Sequence, residues 1–279
     1  MRIAVTGGSG KLGAVVVEYL RDAGHDILIL DRVGTPGEGF LRVDFTDYGQ
    51  VVDALAGFES VVHLAAIPAP GIAPEVETFT NNLGSTFNVF QAARRLGIET
   101  VVYASSETLL GIPFDIDPPY LPVDEEYDSR PESMYAVVKH LEEELARKLV
   151  RWDPALSITA LRFSNVMLPA DYATFASFTP ESRKWNLWGY IDARDGAQAV
   201  LLSLLRAKPG FDRFIIGNAD TVLDVPTAAL IAEYYPGLEI RGSLGEFQTL
   251  LSIEKARREL GYEPVFGWRS AVGGAENPA

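Results

Sequence analysis

RIAVTGGSGKLG, residues 2–13, is a short β-branched run that breaks into a glycine-rich turn and resumes with helix-like periodicity. As strand, loop and helix it predicts a dinucleotide-binding turn. Gly7 permits the tight turn after the strand. Gly10 lets the backbone approach a pyrophosphate at the helix N-terminus, and Gly13 allows close helix–strand contact. The spacing is TGxxGxxG, and the GxxxxGK[ST] spacing of a P-loop is absent.

The same alternation continues outward from this loop. Strands are expected at Arg2–Thr6, Asp26–Leu30, Ser60–Leu64, Thr100–Ala104 and Ser157–Leu161, with a short third strand before Asp44. Helices are expected between them at Leu12–Ala23, Gln50–Ala56, Asn82–Leu96 and Ser133–Arg151. Strands this apolar are buried on both faces, so the expected fold is α/β, a Rossmann-type doubly wound parallel sheet. Residues 1–165 form the NAD(P)-binding part and residues 166–279 a small substrate-binding portion intertwined with it. In that portion 169–190 reads as irregular and aromatic, followed by a helix at Arg194–Leu205 and a strand at Arg213–Ile216. Shorter helices are expected at Thr227–Tyr234 and Ser252–Leu260. The acidic run Glu142–Glu144 on the long helix reads as a solvated face.

Composition excludes several function classes. The chain of 279 residues carries a net charge of −14, which would repel the phosphates of nucleic acid or an anionic membrane. It has no cysteine, so disulfides, thiolate metal sites and a cysteine nucleophile are ruled out. Three dispersed histidines (His25, His63, His140) argue against a metal site, and no metal is expected. No apolar run approaches the ~20 residues of a membrane helix, and the N-terminus lacks a signal-peptide pattern. A cytoplasmic protein is expected.

The second strand leads into Asp31, 18 residues beyond Gly13, close to the usual offset of about 20 for a carboxylate that accepts from the adenosine ribose hydroxyls. That favours NAD, with a turn residue as the alternative. Lys11 and Arg32 leave NADP open, since either can meet a 2′-phosphate. Asp44 is a candidate acceptor for the adenine amino group. In open α/β sheets ligands bind beyond the carboxyl ends of the strands, which draws attention to Ser105, Ser106, Glu107 and Thr108 after TVVYA. In SMYAVVK, 133–139, Tyr135 and Lys139 lie one helical turn apart. They are either an ordinary solvated pair or acid/base machinery.

The ordered motifs resolve that question by resemblance. TGGSGKLG (6–13), HLAA (63–66), NLGSTFN (82–88), YASSETLLG (103–111), YAVVK (135–139), LRFSNV (161–166), YIDARDGAQAV (190–200) and SIEKARRELGYEP (252–264) together resemble the extended short-chain dehydrogenase/reductases, the NAD-dependent epimerase/dehydratase family. The resemblance implies that Tyr135 is the general acid or base for a substrate hydroxyl. Lys139 lowers the phenol's proton affinity and binds the nicotinamide ribose, and Ser106 orients the substrate oxygen. It places cofactor contacts at Gly7, Gly10, Lys11, Leu12 and Gly13, at Asp31, Arg32, Asp44 and Phe45, and at Leu64, Ala65 and Ala66. Asn82, Ser105, Tyr135 and Lys139 complete that set, Asn82 being structural with a potential proton-relay role. It also implies a homodimer built from helices Asn82–Leu96 and Ser133–Arg151.

For the substrate, the resemblance implies a small sugar-type molecule. The primary expectation is an NAD(P)-dependent oxidoreductase acting on a sugar or sugar-acid hydroxyl. The alternative is a nucleotide-sugar epimerase or dehydratase, similar to a UDP-glucose 4-epimerase, with tightly bound NAD. A non-catalytic NAD(P)-binding protein is the third reading. The short format is similar to uronate dehydrogenases, in which an arginine holds the sugar carboxylate. Arg183 stands in a comparable setting, with a surface arginine as its alternative. Glu107, Thr108 and Asn165 are further substrate candidates. Glu107-Thr108 replaces an Asn-His pair of those enzymes, and Pro68 replaces a serine. Trp185 and Trp188 are candidates to stack on a sugar or to pack in the core.

Overall fold

Apolar β-branched runs set between helix-forming segments give a seven-stranded, all-parallel sheet, in a computed structural model that describes residues 1–34, 37 and 39–273. Its first strands are β1 (Arg2–Thr6), β2 (Asp26–Asp31), β3 (Phe40–Arg42), β4 (Ser60–His63) and β5 (Thr100–Ser106). From one edge to the other the order is Gly210–Ile216, Ser157–Phe163, β5, β4, β1, β2, β3. The chain winds outward from β1 to β3, then returns to β4 on the other side of β1. The order therefore reverses between β1 and β4, which opens a crevice at their carboxyl ends.

Both faces of the sheet are covered. On one face α1 (Lys11–Asp22) and helix Ala193–Leu205 bury Val16, Val17, Leu20, Ala197 and Val200 against Ile3, Val5, Val62 and Val102. On the other, α2 (Tyr48–Leu55), α3 (Glu75–Leu96) and α4 (Met134–Trp152) bury Val51, Leu55, Val89, Phe90, Ala146 and Leu149. α3 starts seven residues before the expected Asn82. Pro74 stands at its N-cap, and Glu75 and Glu77 in its first turn complement the positive helix end, a start signal that apolar periodicity does not carry. Ser133 caps α4, accepting from the Ala136 N–H at 3.2 Å, and so sets the phase in which Tyr135 and Lys139 face inward.

The C-terminal portion joins this frame directly. Strand Gly210–Ile216 is the edge of the main sheet, and 169–190, expected to be irregular, contains the 3₁₀ segments Pro169–Ser177 and Lys184–Asn186 around the one-turn helix Pro180–Arg183. Two small parallel pairings tie it down: Val166–Met167 with Ile191–Asp192, and Tyr120–Leu121 with Glu239–Ile240. Among the described residues no helix is long and apolar enough to cross a membrane.

The acidic run corrects the expectation of a solvated face. Glu142 and Glu143 are only 0% and 2% exposed; Glu144 alone reaches solvent, beside Arg147 and Lys148. Glu143 meets Arg162 of the neighbouring strand in a two-point contact, Nε–Oε1 2.9 Å and Nη2–Oε2 2.8 Å, and also accepts from the Ser105 hydroxyl at 2.8 Å. The cause is across the interface: an arginine in an otherwise apolar buried strand requires a buried anion. Removing one partner strands the other charge, a cost of about 3–5 kcal/mol. Arg162→Met is therefore expected to lower unfolding free energy by roughly 3 kcal/mol. Urea denaturation of both proteins checks this.

Candidate active site

Beyond the end of β1 the backbone forms a cradle with no room for side chains. Gly7 has φ +68°, and a Cβ there would lie 2.6 Å from the Ala65 nitrogen; one on Gly13 would lie 2.1 Å from the Gly7 oxygen. Gly10 differs, because its Cβ direction meets only the Gly7 oxygen at 3.3 Å. The α1 N-terminus has no side-chain cap and no acidic residue in its first turn, so its N–H groups are free to receive an anion. Asp31 closes the far side, accepting from Ser9 N–H at 3.0 Å and Val33 N–H at 3.3 Å. This loop and carboxylate fit a dinucleotide, whose pyrophosphate Gly10 would receive and whose ribose Asp31 would hold. Asp44 is exposed, and its carboxyl is held below the usual range by hydrogen bonds from Thr46. Phe45 is a core residue whose carbonyl accepts from Asn88 at 2.9 Å. Arg32 is exposed beside the loop. Lys11 is turned away from Asp31: its ammonium bonds the Val166 carbonyl at 2.7 Å and pairs with Asp171 at 2.6 Å.

β5 ends one strand beyond the crevice and carries Ser105 and Ser106. The Ser105 hydroxyl is committed inward, donating to Glu143. Ser106 accepts from both the N–H and the hydroxyl of Thr108, at 3.1 and 3.0 Å, so its own proton remains to donate. Tyr135 and Lys139 are both buried, with the ammonium 5.7 Å from the phenol ring centre. Burial raises the Tyr135 phenol above its ordinary value. Lys139 and the Ser106 hydroxyl pull it down, while Glu142 and Glu107 push it up. Lys139 donates to the Ala104 carbonyl at 2.8 Å and to Glu142 at 2.9 Å. Asn82 uses its amide on both backbone groups of Ile67, at 2.8 and 3.0 Å, and thereby fixes the turn after Leu64, Ala65 and Ala66.

A chain of hydrogen bonds joins the two halves of the site. Thr6 Oγ1 accepts from Leu64 and Ala65 N–H, both at 3.2 Å, so its hydrogen goes to His63 Nδ1 at 2.7 Å. The His63 tautomer follows: Nε2–H donates to Thr86 Oγ1 at 3.1 Å, and Thr86 donates to Glu142 Oε1 at 2.8 Å. Burial, aided by the Lys139 charge, lowers His63 to about 3, so the ring is neutral and the direction of the chain is set. Sequence reasoning missed His63, Thr86, Glu142 and Glu143. The available signals were Arg162 in an apolar strand and Glu142 three residues past Lys139.

On the outer side Glu107, Arg183, Asn186 and Ser164 are buried together. Asn186 donates to Glu107 Oε1 at 3.2 Å, and Arg183 donates to Asn165 Oδ1 at 3.3 Å and the Gly189 carbonyl at 2.8 Å. Arg183, 6% exposed, is thus no surface residue. Its guanidinium also lies 4.9 Å and 5.0 Å from the ring centres of Phe178 and Trp185. Trp188 is 0% exposed and donates to the Pro180 carbonyl at 2.8 Å, so it is core and is not available to stack on a sugar. It and Leu187 are consecutive non-glycine residues in the left-handed region, at φ 58° and 55°. Burial pushes Glu107 up to about 7, against the pull of Asn186 and Arg183. Among the described residues no group of three His, Cys, Asp or Glu could hold a metal ion.

Comparison with known proteins matches the chain to one family. The model of the NAD dependent epimerase/dehydratase family matches residues 3–217. The chain is 27% identical to UDP-glucose 4-epimerase of Corynebacterium glutamicum, over 95% of this chain and 91% of that one. It is 30% identical to UDP-glucose 4-epimerase of Lacticaseibacillus casei, over 95% and 92%. Other such alignments are shorter, that with the Bacillus subtilis enzyme covering 52% of the relative. L-arabinose 1-dehydrogenase (NAD(P)(+)) of Haloferax volcanii is 37% identical over 38% of this chain and 41% of that one. In structure, a short-chain dehydrogenase/reductase superfamily protein from Agrobacterium tumefaciens with bound NAD superposes with a TM-score of 0.76 at 25% identity, over 99% of this chain and 96% of that chain.

Glu107 supplies a test of the outer cluster. A carboxyl whose folded-state value is raised destabilises the fold as pH climbs from its unfolded value, about 4.5, through about 7, where a buried charge must form. Glu107→Gln removes that ionisation. Its melting temperature is expected to gain on the parent's between pH 5 and 8, read by thermal melts across that range.

Proposed function

The chain belongs to the NAD dependent epimerase/dehydratase family, and from that premise we propose that it withdraws a hydride from a sugar carbinol, with Tyr135 taking the hydroxyl proton. The observation that carries this reading is the burial of Tyr135, Lys139 and Ser106 together at the end of β5, across the crevice from the glycine cradle. A substrate hydroxyl fits beside the Ser106 hydroxyl and the phenol oxygen of Tyr135. Lys139 holds the phenol by its charge and keeps one ammonium hydrogen for the cleft, after Ala104 and Glu142 take the other two. The nicotinamide, when bound, accepts the hydride. Asp31 at the ribose end, with Lys11 held by Asp171, supports NAD over NADP.

The relatives that align end to end are UDP-glucose 4-epimerases. They support a nucleotide diphosphate sugar as substrate, with the hydride returned to the other face of the same carbon and no net change in NAD. A second reading, a sugar dehydrogenase that releases NADH, is favoured by the higher identity to L-arabinose 1-dehydrogenase over its shorter span. The two readings differ in product. Interconversion of UDP-glucose and UDP-galactose without NADH absorbance supports the first, and NADH formed in proportion to an aldose or uronate supports the second. We place the reaction in the cytoplasm, where NAD is available.

A homodimer fits an apolar groove of about 500 Å³ between α3 and α4, lined by Phe79, Leu83, Phe87, Leu141 and Leu145, with Phe87 44% exposed. Phe87→Glu is expected to halve the mass measured by light scattering. Tyr135→Phe is expected to retain dinucleotide binding and fold while losing ~10²–10⁴-fold in turnover. Binding by calorimetry and steady-state rates check it, and retention of most of the rate would remove Tyr135 from the reaction.

A further inference from the structure

One buried carboxylate touches the dyad, and its charge has so far been given no role. Glu142 follows Lys139 by three residues on α4, the ion pair measures 2.9 Å, and the two side chains are 0% and 4% exposed. We propose that Glu142 is the positioning counter-ion of Lys139, cancelling the ammonium so that Tyr135 stays protonated until another positive charge enters the cleft. This rests on the reading of Tyr135 and Lys139 as the reacting pair.

The geometry allows Glu142 little freedom. One of its oxygens receives the ammonium and the other receives the Thr86 hydroxyl, which is held in turn by His63 and Thr6. The carboxylate cannot turn from Lys139 without leaving a buried donor unpaired, at either end of that chain.

Around this pair, Glu107 adds an anion to the field on Tyr135 once it ionises above about pH 7, while the other groups are matched or neutral. Glu143, the next residue on α4, is matched by Arg162 from the adjoining strand, and Arg213 lies 4.0 Å from it. From β4, His63 is neutral. From β5, the Tyr103 phenol is kept protonated by burial. From the 3₁₀ turn after β5, Glu107 is held up to about 7 by burial. An uncompensated cation within 4–6 Å commonly lowers an acidic group by one to three units. Here the ammonium arrives with its anion attached; burial first of all holds the Tyr135 phenol above its ordinary value, and Glu142 adds to that against the pull of Lys139. A positive charge over the cleft, such as an oxidised nicotinamide would bring, adds to the attraction that Glu142 weakens. The base then forms only in a loaded site. Electrons and protons balance without a new reactant, since Glu142 exchanges nothing and only biases where the Tyr135 proton resides.

The test reads the Tyr135 phenol itself. Tyrosine labelled with ¹³C at Cζ is titrated by NMR in protein free of dinucleotide, with Tyr135→Phe assigning the signal. Glu142→Gln keeps the shape and a hydrogen-bond acceptor but removes the charge. Its Tyr135 midpoint is expected to fall by at least one pH unit, with the acid limb of log kcat/KM moving to lower pH by a similar amount and Glu142→Asp returning toward the parent. In the parent, NAD should lower the midpoint and NADH should not, a measurement that stands even if Glu142→Gln fails to fold. An unchanged midpoint in folded Glu142→Gln overturns the proposal, as does a parent phenol that ionises near neutrality without dinucleotide. Failure of the underlying reading is distinguishable. Tyr135→Phe would then keep its turnover, whatever the titration shows.

Discussion

Two carboxylates side by side on one helix, each matched inside the protein by a buried cation, tie that helix to its surroundings. Glu143 with Arg162 locks α4 to the sheet, and Glu142 with Lys139 lies one residue away in sequence. Burying four charges is tolerable only if they cancel in pairs and fill their remaining hydrogen bonds. That requirement fixes the rotation of α4 about its own axis. With α4 fixed, Tyr135 faces the end of β5, and Ser105 and Ser106 must divide their hydroxyls, one to the interior and one to the cleft. The face that carries Tyr135 and Lys139 is thus a consequence of how the helix is anchored behind it.

The other side of the crevice follows a different rule, the exclusion of side chains. Gly7 and Gly13 approach backbone too closely for any Cβ, and this proximity brings the end of β1 against the turn after β4. Thr6 sits at that junction and orders it by accepting two backbone N–H groups. Because its remaining hydrogen goes to His63, the glycine turn and the lysine are joined by one polarised chain. The joining residues are all neutral except the last, so the chain sets the orientation of Glu142.

Much of this was legible in residue order. The glycine spacing, the apolar strands and the offset of Asp31 each report a local requirement of backbone or ligand, and local requirements leave marks in short stretches. The acidic run 142–144 is the counterexample. Its residues look solvated because charge on a helix usually is, and the strand that makes burial possible lies 19 residues further on, at Arg162. The start of α3 was misjudged for a related reason, since its first turns are set by a proline and two glutamates in place of apolar period. Arg183 and Trp188 were undecidable by pattern. What fills their surroundings comes from three separate segments, 107–127, 164–190 and 215–251, that meet only in the folded protein.

The left-handed pair Leu187–Trp188 carries a consequence for how its neighbours respond to substitution. Each such residue stores roughly 1–2 kcal/mol of backbone strain, held in place by the seating of Trp188 in the outer core. Such strain persists only while the surrounding packing over-determines the turn, and here that packing is the buried Trp188. Arg183, which donates to Asn165 and to the Gly189 carbonyl next to the pair, shares the same support. A substitution that unseats Trp188 would therefore be felt at Arg183 and Glu107 as much as at the residue replaced.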